Sequence, residues 1–439
     1  MSAEDIRLAY DGLADVRSAP KLITEVPGPE AHGVDRARRA RSRRPSLPRA
    51  YPFVPKRGAG SIVEDVDGNI FLDLNAGIAV TSTGHCHPQR GRGDPAAGGR
   101  AAALLGERLL PAGLLPRCAS GSTQLAPFGD RPARSFLTNS GTEAVEAAIK
   151  LARFATGRQY LIGFYQSFHG RSMGSASRSR RRRRSTAPTS DRCCPACYHA
   201  FYGDFDYLDE VVFKRLVSPT EVAAIVVESW LGEGGYVLPP DGWFTYLREL
   251  CDRHGILLVC DEVQSGMGRS GKMWAIEHEG VDPDILISGK GIASGLPLGA
   301  MIAREDRDGL GPRVARVYVR RQSALVRGRA RDVRRDTGRG SARERGPRGL
   351  RLDRRTPPDE DATSPDPGGQ GRGDVDRARV RRSRGGRGGR ARAFRRGLLM
   401  LSCGDDAIRV SPPLVFREDQ AREALRSSEE VVAEVEAET

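Results

Sequence analysis

Three short apolar runs each end in a residue able to do chemistry. Residues 223–227 lead to Glu228, residues 256–260 to Asp261, and residues 284–287 are closed by Ser288 and Gly289 ahead of Lys290. A lysine amine taken out of water loses basicity and becomes nucleophilic near neutral pH, so it can condense with an aldehyde. A carboxylate at the end of a neighbouring strand can pair with a protonated ring nitrogen and keep that ring an electron sink. A fourth part is Asn139-Ser140-Gly141-Thr142, which opens a helix-like run. The N–H groups of such a helix start hold a phosphate dianion. Singly each feature is weak, since a lysine after a strand is most often a solvated end. Together they describe what a phosphorylated pyridine aldehyde requires.

The surrounding pattern supplies elements to carry these groups. The run 223–227, a helical stripe at Trp243, Leu247, Leu250 and Cys251, and the run 256–260 read as strand, helix, strand, hence a parallel βαβ unit. Ligands of such sheets bind beyond the carboxyl ends of the strands, where Glu228, Asp261 and Lys290 all lie. Phe136 and Leu137 give a short strand signal, and Val145, Ala148, Ile149 and Ala152 share one face of the helix that follows. Residues 59–88 alternate apolar and polar residues about a turn at Asp67 and Gly68, which predicts a hairpin.

These motifs, in this order, closely resemble the class III aminotransferases, the pyridoxal-phosphate enzymes that include 4-aminobutyrate, ornithine and acetylornithine aminotransferases. The matching segments are NSGTEAVEAAIKLAR from Asn139, SFHGRSMG from Ser167, VVES with GEGG from Val226, CDEVQSGMGRSG from Cys260 and ISGKGIASGLPLGA from Ile287. With 59–88 and 396–426 added, the resemblance covers more than half of the chain. It implies an α/β architecture, the type I fold of pyridoxal-phosphate-dependent transferases: a mainly parallel sheet with helices on both faces, plus a smaller α+β domain. The large domain is expected over 59–310, with the small domain formed by 1–58 and 395–439.

The resemblance also implies roles. Lys290 would hold the cofactor and then move a proton at the substrate carbon, and Asp261 would pair with the ring nitrogen. Gln264 would bond the ring hydroxyl, Val263 and Phe168 would sandwich the ring, and Gly141 and Thr142, next to Ser140, would bind the phosphate. His169 falls in the same set, and Glu228 would orient the cofactor surroundings. Arg409 in AIRVSPPL would grip a substrate carboxylate, masked by Glu233 when an ω-amino donor binds. Ser229 replaces the proline usual after Glu228, with little consequence expected. The implied activity is amino transfer from an ω-amino acid resembling 4-aminobutyrate to 2-oxoglutarate by a ping-pong route, in a homodimer or dimer of dimers. A racemase or epimerase of the same fold is the alternative, as is an inactive product.

Composition separates these readings from a nucleic-acid role. The formal charge is +14, but only six of 70 basic residues are lysine. Residues 36–44, 90–117, 178–192 and 313–394 hold 43 arginines and no lysine, and Tyr318 and Phe394 are their only aromatics, too few to interleave with the basic residues and stack on bases. Back-translated and read in a shifted frame, 316–323, 90–103 and 175–179 permit family-like sequence, including the ASTYGGNP segment that the family places at the dimer interface. The stretches 90–122, 175–197 and 313–394 therefore read as out-of-frame translation of a GC-rich gene, and no nucleic-acid partner is expected. Cys194, Cys197 and His199 lack a second ligand pair, so no metal is expected. No apolar run approaches the roughly 20 residues of a membrane span, and no signal-peptide pattern opens the chain. A cytoplasmic protein without a membrane partner is the expectation.

Overall fold

The structure, a computed structural model, describes residues 13, 19–41, 51–87, 124–176, 196–305, 376–379, 383–404 and 407–437. The expectations attached to 90–122 lie outside the described residues, as do those on 177–195 and 313–375. The described chain forms two compact units, one from 124–305 and one from the N- and C-terminal parts.

The unit of 124–305 is built on a seven-stranded sheet. Its strands are β1 (Ala133–Thr138), β2 (Tyr160–Phe164), β3 (Cys197–Ala200), β4 (Val222–Glu228), β5 (Leu257–Asp261), β6 (Ile285–Ser288) and β7 (Gly299–Arg304). They are ordered β1-β7-β6-β5-β4-β2-β3. The strands from β2 to β6 pair in parallel, while β7 runs antiparallel to both β1 and β6. All seven residues of β4 are buried, as a strand covered on both faces must be. Ala224 and Val226 pack toward helix α1 (Gly141–Thr156), and Ile225 and Val227 join the cluster holding Trp243 and Leu247 of helix α2 (Trp243–His254).

Local chemistry fixes the ends of α1. The Ser140 hydroxyl accepts the Glu143 N–H at 3.2 Å, and the Glu143 carboxylate accepts the Asn139 N–H at 2.6 Å. This reciprocal pair satisfies donors that a helix start leaves open. At the other end Gly157 takes φ +67° and returns its N–H to the Arg153 carbonyl. The register of the sheet then aligns the site. Glu228 pairs with Asp261 and Asp261 with Ile287, so β4, β5 and β6 finish at one level.

The second unit contains the predicted hairpin, with Ile62–Asp65 antiparallel to Ile70–Asp73. After it the backbone turns left-handed for four residues: Ala76, Gly77, Ile78 and Ala79 have φ of +47°, +63°, +69° and +57°. Such a conformation costs a non-glycine residue roughly 1–2 kcal/mol. Asp73 anchors the run, since Oδ1 accepts the Asn75 and Ala76 N–H groups at 2.9 Å each and His85 Nε2 donates to Oδ2 at 2.7 Å. Strand Ala407–Val410 carries Arg409, 2% exposed, and pairs with Leu401–Cys403 and Asp376–Arg379. Helix Ser383–Arg395 runs through the end of the arginine-rich stretch. It buries Phe394 against Tyr51 and Phe71.

Candidate active site

At the level end of β4, β5 and β6 the chain gathers nearly all of the predicted groups of the larger unit. Asp261 is 4% exposed; Oδ1 accepts the Val263 N–H at 3.0 Å and Oδ2 accepts from His169 Nδ1 at 2.6 Å. A buried carboxylate held this way has a fixed direction. The contact to His169 spans 92 positions, and it turns a sequence neighbour of Phe168 into the residue that orients Asp261.

Glu228 stands beside this pair. Its Oε1 accepts the Phe168 N–H at 2.7 Å and its Oε2 the Gly232 N–H at 2.9 Å, so one carboxyl group joins the Phe168 loop to the Gly232-Glu233-Gly234-Gly235 loop. Burial pushes its pKa up to about 7, with His169 working against burial and Asp261 adding to it. Because the folded value exceeds the ordinary 4.5, folded Glu228 keeps a proton that the unfolded chain has released. Its stabilising contribution is full below about pH 4.5 and is lost as pH rises through about 7. Glu228→Gln is expected to flatten this dependence, on the order of 2–3 kcal/mol between about pH 5 and about pH 8. Urea denaturation of both proteins at the two pH values checks it.

The start of α1 meets the turn after β5 at close quarters. A Cβ on Gly141 would lie 2.8 Å from both Val263 methyl carbons, and one on Gly289 would lie 3.2 Å from the Gly141 Cα and from Val263. Only glycines permit this approach, which brings the helix start, Val263 and the residue preceding Lys290 together. Gly170, at φ +130°, lets the Phe168-His169 segment close on the Thr142 hydroxyl in the same manner. The Gly141 and Thr142 N–H groups, in the first helical turn, have no intrahelical acceptor.

Lys290 itself has φ +43°, a left-handed conformation rare for a side-chain-bearing residue, at the head of a short 3-10 turn. Backbone strain of this type, typically 1–3 kcal/mol, persists where surrounding packing enforces it and gathers at functional sites. Gln264 is 8% exposed, and its Oε1 is buried without a hydrogen-bond partner among the described residues. Phe168 leaves 38% of its surface open, and the Arg171 guanidinium lies 5.8 Å from its ring centre.

These features fit the group implied by the sequence resemblance. An orphaned buried acceptor suits a ring hydroxyl, an oriented buried carboxylate suits a ring nitrogen, and open N–H groups at a helix start suit a phosphate. Ser140, Gly141, Thr142, Phe168, His169, Glu228, Asp261, Val263, Gln264, Lys290 and the half-buried Glu233 all belong to one unit, and Arg409 belongs to the other. Sequence reading missed three things: the oriented His169–Asp261 pair, the cation of Arg171 over Phe168, and the buried Glu262 next to Asp261. The FHGR and DE strings were the available signals. Among the described residues there is no cluster able to hold a metal ion and no helix long and apolar enough to cross a membrane.

Residues 46–308 match the family described as aminotransferase class-III. An acetylornithine aminotransferase of Methanopyrus kandleri is 41% identical over 58% of this chain and 63% of its own length. An alanine/serine racemase of Pyrococcus horikoshii is 34% identical over 65% of this chain and 64% of its own. A 4-aminobutyrate aminotransferase of Mycobacterium tuberculosis is 33% identical over 67% and 69%. The chain thus spans just under two thirds of the first two of these relatives. The crystal structure of the ornithine aminotransferase from Toxoplasma gondii superposes with a TM-score of 0.73, at 25% identity, over 99% of both chains.

Proposed function

The chain belongs to the class III aminotransferase family, and from that premise we propose that it moves an amino group from an ω-amino acid of the 4-aminobutyrate type to 2-oxoglutarate, using pyridoxal 5′-phosphate. The observation that carries the reading is the close approach of Val263, of Gly170 and of the Gly289–Lys290 step to the start of α1, beside an Asp261 held by His169. When bound, pyridoxal phosphate supplies an electron sink for the carbon bearing the amine.

The residues of the chain do the remainder. Lys290 Nζ would take a proton from that carbon and return one. Asp261, turned by His169, would pair with the ring nitrogen, and Gln264 would hydrogen-bond the ring hydroxyl. Phe168 and Val263 would hold the ring between them, and Glu228 keeps Phe168 in place through its backbone. Arg409 would grip the substrate α-carboxylate, and Glu233 would act on the choice of substrate through its charge. On this reading the protein works as a cytoplasmic homodimer.

The 4-aminobutyrate relative supports that donor, and the acetylornithine relative makes N-acetylornithine its nearest competitor. The racemase relative favours a second reading, interconversion of amino-acid enantiomers. Purified full-length protein should form glutamate from 2-oxoglutarate with 4-aminobutyrate faster than with N-acetylornithine or ornithine. Faster turnover of either competitor overturns the donor assignment. Enantiomer exchange of alanine or serine with no keto acid added overturns amino transfer itself.

A further inference from the structure

We propose that Ser229 and Glu262 form a buried brace that sets Asp261 and Gln264 for the cofactor, so that both are positioning residues. This rests on the functional reading above. Asp261 and Glu262 are consecutive at the end of β5, yet they engage different partners. Asp261 bonds to Val263 and His169, whereas Glu262, wholly buried, bonds to none of the groups that hold Asp261.

Glu262 Oε1 accepts the Ser229 hydroxyl at 2.6 Å and the Ile276 N–H at 2.7 Å, and its Oε2 accepts the Ser265 hydroxyl. The Ala275 N–H adds a further bond to the same carboxyl. A buried carboxyl group is tolerated only when its oxygens are satisfied, and here the donors come from three separate segments. One is the residue after β4, one is the turn after β5, and one is the short turn Ala275–His278. The Glu262 backbone is held as well, its N–H donating to the Ile287 carbonyl at 2.9 Å and its carbonyl accepting the Gly266 N–H at 3.1 Å.

The consequence falls on the turn 261–266. Fixed at Glu262 from both the main chain and the side chain, it has little freedom to shift Asp261 or Gln264. Proper placement of such groups to within about half an ångström decides whether they bind well. Ser229 gives this brace a feature particular to the chain, because the proline usual at that position has no hydroxyl to donate. On this proposal Ser229 matters more than the sequence alone led us to expect, because its hydroxyl donates to a buried carboxyl group.

The test compares full-length wild type, Ser229→Ala and Glu262→Gln. Each is titrated with pyridoxal 5′-phosphate, with affinity read from protein tryptophan fluorescence and the ring environment from the pH titration of the bound cofactor's long-wavelength absorbance. Ser229→Ala should bind roughly tenfold more weakly, Glu262→Gln more weakly still, and both should shift the absorbance titration. If both variants melt earlier but keep wild-type affinity and absorbance titration, the brace is a stability feature only and the proposal fails. Should Glu262→Gln not fold, Ser229→Ala decides alone. Wild type that takes up no pyridoxal phosphate defeats the functional reading and the brace together, an outcome distinct from unaltered variants of a protein that binds it.

Discussion

Lys290→Ala should lower amino transfer by at least about 10⁴-fold, because on the proposed function one substitution removes both the covalent anchor and the proton-moving base. General acid–base catalysis alone is worth about 10² to 10⁴, and the loss of the anchor compounds it. The substitution should leave the fold intact. Alanine keeps a Cβ, so the strain at φ +43° is neither relieved nor increased, and the contact of Gly289 with Gly141 and Val263 does not involve the lysine side chain. Thermal denaturation of the apoprotein should accordingly stay within about 1 kcal/mol of wild type, in keeping with a change outside the core. Glutamate formation and the long-wavelength absorbance should vanish together. A variant that retains activity within tenfold of wild type would show that Lys290 does not serve the reaction.

Asp261→Asn should be the second most damaging change, with a loss of about 10² to 10³, the usual scale for deleting one preorganised electrostatic group. Asparagine has nearly the same shape and can still accept the Val263 N–H. What it lacks is the second carboxylate oxygen, the one bonded to His169 Nδ1 and proposed to pair with the ring nitrogen. His169→Ala should do less harm, since the histidine acts through Asp261. It should also add little in the double variant, because residues that act as a unit are not additive. Steady-state rates for the two single variants and the double variant form the cycle that checks this. Equal and independent losses would argue that His169 touches the reaction directly.

The parts of this site that could be read from sequence were those whose signal is local. The Ser140 cap, the apolar face at Val145, Ala148 and Ile149, and the strand ends at Glu228 and Asp261 each follow from spacing within a few residues. The hidden parts depend on residues distant along the chain. His169 reaches Asp261 across 92 positions and Ser229 reaches Glu262 across 33, and no periodicity announces such pairs. Strand β7 gave no clear signal either: GAMIAR begins at a glycine and follows a turn, and its antiparallel pairing depends on β1 far upstream. The stretch Tyr207–Leu216 was missed for a different reason. It winds as a π-helix, a wider turn than the 3.6-residue pattern on which helix reading relies.

The left-handed stretch at Ala76–Ala79 bears on how this chain could change under selection. Three of its four residues carry side chains in a conformation that glycine adopts freely, and Ile78, β-branched and 37% exposed, gains little burial in exchange. A laboratory search for heat-resistant variants should therefore return Ile78→Gly early, as a gain in melting temperature. If such variants are more robust yet poorer catalysts, the awkward geometry has been retained because a side chain is needed at that spot. If they are robust and fully active, it is an inherited burden that drift has left in place.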